Sequence, residues 1–96
     1  MTSILIIEDE EPIRRVLKKI LKEENKSYNI YEAENGKVGL EEIQNNKKID
    51  IVLCDIKMPI IDGIEVLNRS KEIKPNLPFI MLTGHGNINT AVEAMK

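Results

Sequence analysis

Three short apolar runs punctuate the chain, Ile4-Leu5-Ile6-Ile7, Ile51-Val52-Leu53-Cys54 and Phe79-Ile80-Met81-Leu82, and apolar residues at helical spacing fill the segments between them. Such alternation predicts a parallel α/β sheet. The first strand runs from Ser3 to Ile7. Ile13, Val16, Leu17, Ile20 and Leu21 then recur at intervals of three and four and make one apolar helix face, with Pro12 suited to the first helical position. Tyr28 to Ala33 is less apolar, which predicts a second strand at a sheet edge. Asn35-Gly36 is a turn signal before a second helix with Gly39, Leu40 and Ile43 on one side. A glycine inside a helix weakens it, so Gly39 is expected where the helix approaches a neighbour closely. Ile51 to Cys54 is apolar throughout and is expected as a strand buried on both faces. A third helix begins near Gly63, with Ile64, Leu67 and Ile73 as candidate core positions. Pro75 to Pro78 is a loop and Phe79 to Leu82 a fourth strand. Thr83-Gly84-His85-Gly86 forms a glycine-bearing loop, and Asn87 can cap a fourth helix offering Ile88, Ala91, Val92 and Met95.

The 96 residues suffice for one domain, and no repeat, linker or low-complexity tract divides them. Apolar residues make up 42% and charged residues 31%, ordinary values for a globular protein. A net charge of −2 supplies no electrostatic reason for this segment to bind nucleic acid or an anionic membrane. Met1-Thr2-Ser3 lacks the basic start of a signal peptide, and the apolar runs are far too short to span a bilayer. The single cysteine has no internal partner, which makes a reducing cytoplasm the simplest setting. Cys54 lies within an apolar run and is expected as a small core residue.

The candidate chemistry lies where the strands stop. Glu8-Asp9-Glu10 follows the first apolar run and Asp55 follows the third. Carboxylates at the ends of buried strands are unfavourable unless they hold a cation or react. In open α/β sheets ligands bind beyond the carboxyl ends of the strands, where the strand order reverses. If the first and third strands are neighbours there, Glu8, Asp9 and Asp55 converge. At ~5 Å and an effective dielectric of ~20, each ionised pair repels by roughly 3 kcal/mol. Oxygen donors from two or three carboxylates suit Mg2+ or Mn2+ better than zinc, and with one cysteine and one histidine no Cys/His ligand set exists. A divalent ion beside an aspartate points to phosphoryl transfer, the carboxylate attacking phosphorus in line to form an acyl phosphate. Thr83, at the end of the fourth strand, would bring a hydroxyl to the same edge. Each acid taken alone reads as a solvated strand cap; the three strand ends taken together favour a site.

In order and spacing, Ile4 to Glu10, Asp55-Ile56-Lys57-Met58-Pro59, Asp62-Gly63 and Leu82-Thr83-Gly84 resemble the receiver domain of bacterial two-component response regulators. The resemblance covers essentially the whole chain. It implies a flavodoxin-like, doubly wound parallel sheet of strand order 2-1-3-4-5, with Asp55 as phosphoacceptor. It also implies that Asp9, Asp55 and the backbone carbonyl of Lys57 ligate Mg2+, that Glu8 acts through water, and that Thr83 is the switch hydroxyl contacting the phosphoryl group. The implied phosphodonor is a phosphohistidine on a sensor histidine kinase or phosphotransfer protein. The stretch from Thr83 to Met95 resembles receivers of transcriptional activators, particularly the nitrogen-regulation type, which implies a DNA-binding output module in the parent chain.

Two departures matter. Glu8 stands where the family often has aspartate, compatible with a water-mediated role. The chain also reaches Lys96 within an amphipathic pattern with no C-cap glycine or asparagine, so residues 1–96 are expected to form a receiver domain incomplete at its C-terminus. A fifth strand and helix would need roughly 24 further residues. The family's lysine and switch aromatic have no counterpart here, which predicts impaired phosphorylation and self-association through an open fourth-strand edge. Three rivals remain. A haloacid-dehalogenase-type phosphohydrolase wants a second acid two residues after the nucleophile, where Lys57 stands. A flavodoxin needs a phosphate-binding loop where Glu8 to Glu11 would repel one. A pseudo-receiver acting only through protein contacts fits the lost lysine but not the complete acidic set. His85 is expected as an exposed loop residue, since no acid–base partner accompanies it.

Overall fold

The computed structural model describes residues 1–82. Their element order is β1 (Ser3–Ile7), α1 (Glu11–Glu24), β2 (Asn29–Ala33), α2 (Gly36–Asn45), β3 (Ile51–Asp55), α3 (Gly63–Ile73) and β4 (Phe79–Leu82). The four strands are parallel, in the order β2-β1-β3-β4, which agrees with the expected 2-1-3-4 portion of a doubly wound sheet. Thr83, Gly84, His85, Asn87 and the expected fourth helix lie outside the described residues.

Alternation along β1 sends its side chains to two cores. Leu5 and Ile7 join Ala33, Val52, Cys54, Ile43 of α2 and Val66 of α3 on one face. Ile4 and Ile6 join Leu53, Leu82 and the α1 residues Leu17 and Leu21 on the other. Among the described residues, one helix therefore covers one face and two cover the opposite face. Ile4, Leu5, Ile6 and Ile7 are all fully buried, as a central parallel strand covered on both sides requires. β2 lies at one edge of the sheet, with Ile30 and Tyr31 only partly buried.

The helix starts follow local chemistry. Asn35 caps α2, its side chain accepting from the Val38 N–H at 2.8 Å, and Asp62 caps α3 by accepting from the Glu65 N–H at 2.9 Å. Each cap satisfies a donor the helix itself cannot, worth about 1 kcal/mol. Glu10 makes no side-chain cap for α1, which relies on Pro12 in its first turn. Gly39 is required by packing: a Cβ there would overlap Ile7 Cδ1 and lie 2.8 Å from Ile7 Cγ1. The expected close approach of α2 is to β1.

Several expectations need correction. β2 begins at Asn29 rather than Tyr28, β3 extends to Asp55, and Pro12 follows Glu11 into the helix. Val16 is not core; it is 47% exposed, because the buried line of α1 runs through Leu17 and Leu21, about 120° away at 100° per residue. On α3, Ile64 and Ile73 are exposed, and the buried line is instead Gly63, Val66 and Ser70. Gly63 is small because a Cβ there would meet the Asp55 carbonyl, and Val66 faces α2, its Cγ2 2.9 Å from where a Cβ on Gly36 would be. The Ser70 hydroxyl is buried there without a hydrogen-bond partner. Among the described residues no helix is long and apolar enough to cross a membrane.

Candidate functional site

Because β1 and β3 are adjacent and parallel, both release their chains at the same edge of the sheet. Ile7 pairs with Cys54 and, on its other side, with Ala33. The next residues, Glu8 and Asp55, therefore leave side by side. Oxygens of Glu8, Asp9 and Asp55 all lie within 4.8 Å of one another. Glu8 is buried, 3% exposed, Asp55 half-buried and Asp9 exposed. The three acids expected to converge do so.

Their electrostatics follow from that placement. Burial pushes the Glu8 carboxyl up to about 8, helped by hydrogen bonding to Asp9 and by the charge of Asp55. Without a cation, Glu8 therefore holds a proton near neutral pH. The same field, added to burial, pushes the neighbouring Cys54 thiol up to about 12. Cys54 is fully buried and its Sγ donates to the Asp55 carbonyl at 3.4 Å, so it behaves as the core residue expected.

The loop after Asp55 is pinned at several points. The Ile56 N–H donates to the Leu82 carbonyl at 3.2 Å, and the Gly63 N–H returns to the Ile56 carbonyl at 2.8 Å. A Cβ on Gly63 would strike the Asp55 carbonyl, so only glycine lets α3 start against the phosphoacceptor candidate. Met58 anchors the middle of the loop at 8% exposure. Lys57 lies between these anchors with its side chain exposed. Thr83, the remaining site candidate, is outside the described residues.

Two residues outside the acidic cluster help hold this edge. Asp62 caps α3 beside the Asp55 loop. Arg14 is a cation in line with Leu17 and Leu21 on the apolar face of α1, a signal legible in the sequence. Its Nη1 donates to the Glu8 backbone carbonyl at 2.8 Å.

Three carboxylates at the carboxyl edge of a 2-1-3-4 sheet, beside a glycine-dependent loop, narrow the families sharply, and a family model decides among them. The model of the response regulator receiver domain matches residues 4–96. The chain belongs to that family. It is 37% identical over 94 residues to the transcriptional regulatory protein ZraR of Klebsiella oxytoca, covering 98% of this chain and 20% of that protein. It is 36% identical over 92 residues to the sporulation initiation phosphotransferase F of Bacillus subtilis, covering 96% of this chain and 72% of that protein. A response regulator receiver domain protein from Clostridium thermocellum superposes with a TM-score of 0.79 at 35% identity, over 99% of this chain and 75% of the other. The chain thus spans about a fifth of the length of its ZraR-type relatives. A phosphoacceptor signalling role fits this receiver domain, the family is not one of classical enzymes, and the phosphohydrolase and pseudo-receiver readings are not favoured. Self-association finds no support in these relatives.

Proposed function

We propose that Asp55 accepts a phosphoryl group from a phosphohistidine of a sensor histidine kinase or phosphotransfer protein. An Asp55 carboxylate oxygen attacks phosphorus, the O–P bond forms as the N–P bond breaks, and the imidazole nitrogen leaves with the electron pair. The observation that carries this reading is the mutual approach of Glu8, Asp9 and Asp55 within 4.8 Å. The donor set fits a divalent ion, since it is all oxygen and three carboxyl groups meet within 4.8 Å. Asp9, Asp55 and the Lys57 backbone carbonyl would hold Mg2+ (or Mn2+), with Glu8 acting through water. When bound, the ion supplies charge neutralisation that lets an anionic carboxylate meet an anionic phosphoryl group. Within the chain's own residues, Asp55 is the nucleophile, Glu8 and Asp9 orient and balance charge, and the Thr83 hydroxyl is assigned to the phosphoryl group as the switch. The domain catalyses its own phosphorylation and dephosphorylation and no other turnover.

The ZraR-type relatives support a parent protein of transcriptional-regulator type, with a DNA-binding output module outside residues 1–96, working in the cytoplasm. The test is incubation with Mg2+ and acetyl phosphate followed by intact-mass measurement. Gain of one phosphoryl group, absent from Asp55→Asn and from samples with chelator, is the expected result. Phosphorylation that persists in Asp55→Asn would move the acceptor elsewhere.

A further inference from the structure

Arg14 sits on the buried line of α1 with its side chain 14% exposed, unlike Arg15, whose side chain is 72% exposed and pairs with Glu11 at 2.6 Å on the surface. Its side chain reaches back past Asp9. Nη1 donates to the Glu8 carbonyl at 2.8 Å, while the backbone N–H makes the ordinary first-turn helix bond to the Glu10 carbonyl at 3.1 Å. Those carbonyls belong to the residues on either side of Asp9. The guanidinium is itself oriented by Glu32 on β2: Nε stands 3.4 Å from Oε1, near enough for charge attraction although it makes no aligned hydrogen bond. Lys18 holds the other Glu32 oxygen at 3.4 Å. The Glu8 N–H completes the frame by donating to the Ala33 carbonyl at 3.1 Å. The segment bearing Glu8 and Asp9 is thereby tied to α1 by Arg14 and to β2 by Ala33, with Glu32 joining the two ties.

We propose that Arg14 is a positioning residue for the cation site, its guanidinium fixing the backbone at Glu8 so that the carboxylates of Glu8 and Asp9 meet that of Asp55. The inference rests on the cation-binding reading above. It makes a prediction opposite in sign to simple electrostatics. Removing a positive charge near three acids deepens the negative potential and should tighten cation binding. Removing a group that orients the ligands should weaken it, by about 10-fold to 100-fold.

The experiment is calorimetric titration of the 96-residue chain with MgCl2 alone, alongside thermal unfolding of each variant in chelator. Arg14→Ala is expected to raise the Mg2+ Kd about 10-fold or more. Arg14→Lys should fall between it and the parent, since a single ammonium lacks the planar fork that reaches the Glu8 carbonyl and Glu32 together. Arg14→Lys keeps the charge, so a raised Kd there is not electrostatic, and it serves if Arg14→Ala does not fold. Arg15→Ala is the matched loss of charge and should leave Kd unchanged. Unchanged or tighter binding by the folded Arg14 variants, with Asp9→Asn still losing affinity, overturns the inference while leaving the cation site intact. Lack of Mg2+ binding by the parent chain overturns both. A lower unfolding temperature with unchanged Kd assigns Arg14 to stability alone and likewise overturns it.

Discussion

At the scale of single residues, Glu8 concentrates the tension between folding and function. Its side chain ends a fully buried strand and faces two other carboxyl groups, and its pKa rises from 4.5 to about 8. Between those values the folded protein holds a proton that the unfolded chain releases. The unfolded state binds fewer protons in that window, so the contribution of Glu8 to stability is complete below about pH 4.5 and is lost as pH climbs through about 8. Urea unfolding in chelator should therefore show the parent losing stability relative to Glu8→Gln between pH 5 and pH 8. Parallel curves for the two proteins would show that Glu8 is ionised in the folded state throughout. The same proton must leave when a cation enters, so Mg2+ binding should tighten with pH up to about 8. Cys54 has no such role: with its thiol pushed up to about 12 it stays protonated through this range.

At the scale of elements, the loop between β3 and α3 stores strain at a single residue. Ile60 has φ of 70°, a region that β-branched residues rarely adopt, and its side chain is fully exposed. The Ile61 N–H donates to the Pro59 carbonyl at 2.8 Å across it, making the uncommon, strained hand of γ-turn. The cause is geometric. Met58 is anchored in the core and Ile61 lies against the start of α2, its Cβ 3.0 Å from where a Cβ on Gly36 would be. Proline fixes its own φ, so Ile60 must turn the chain. Ile60→Gly should relieve the strain and, after glycine's added entropy in the unfolded chain, stabilise the domain by about 1 kcal/mol. That corresponds to a rise of about 4–8 °C in Tm by calorimetry, whereas a fall would show that the isoleucine side chain contributes more than its backbone loses. Such a turn was not legible in Pro59-Ile60-Ile61, because nothing in an apolar pair announces a positive φ. β1 and β3 were legible, since central parallel strands need continuous apolar runs and Ile4 to Ile7 and Ile51 to Cys54 supply them. The face of α3 is hard to read for the opposite reason: Gly63 and Ser70 on its buried line carry no large apolar side chain, while Ile64 and Ile73 face solvent.

At the scale of the whole molecule, the site exists because of topology. No local pattern brings Glu8 to Asp55 across more than 40 residues; the placement of β1 beside β3, with α1 on one face and α2 and α3 on the other, does so. The acids themselves were readable as strand ends, while their distances had to come from the fold. That convergence works against stability in the absence of a cation. Two ionised carboxylates within 4.8 Å repel by roughly 3 kcal/mol at an effective dielectric of ~20, a large share of what a domain of this size has to spare. Replacing Asp55 by asparagine removes that repulsion and also the proposed ligand. In chelator, Asp55→Asn should therefore unfold at a higher temperature than the parent. Mg2+ at about 100 times its Kd should stabilise the parent by about 2.7 kcal/mol, a rise on the order of 10–20 °C. The mutant should gain far less, so that added Mg2+ narrows or reverses the order of the two proteins. If both rise equally, the ion binds elsewhere and the acidic cluster is not its site; if neither rises, the folded chain binds no Mg2+ and the proposed site fails. A reversal would mean that the cluster is built for an occupant, its instability without one being the energy that makes binding at this strand edge matter to the whole fold.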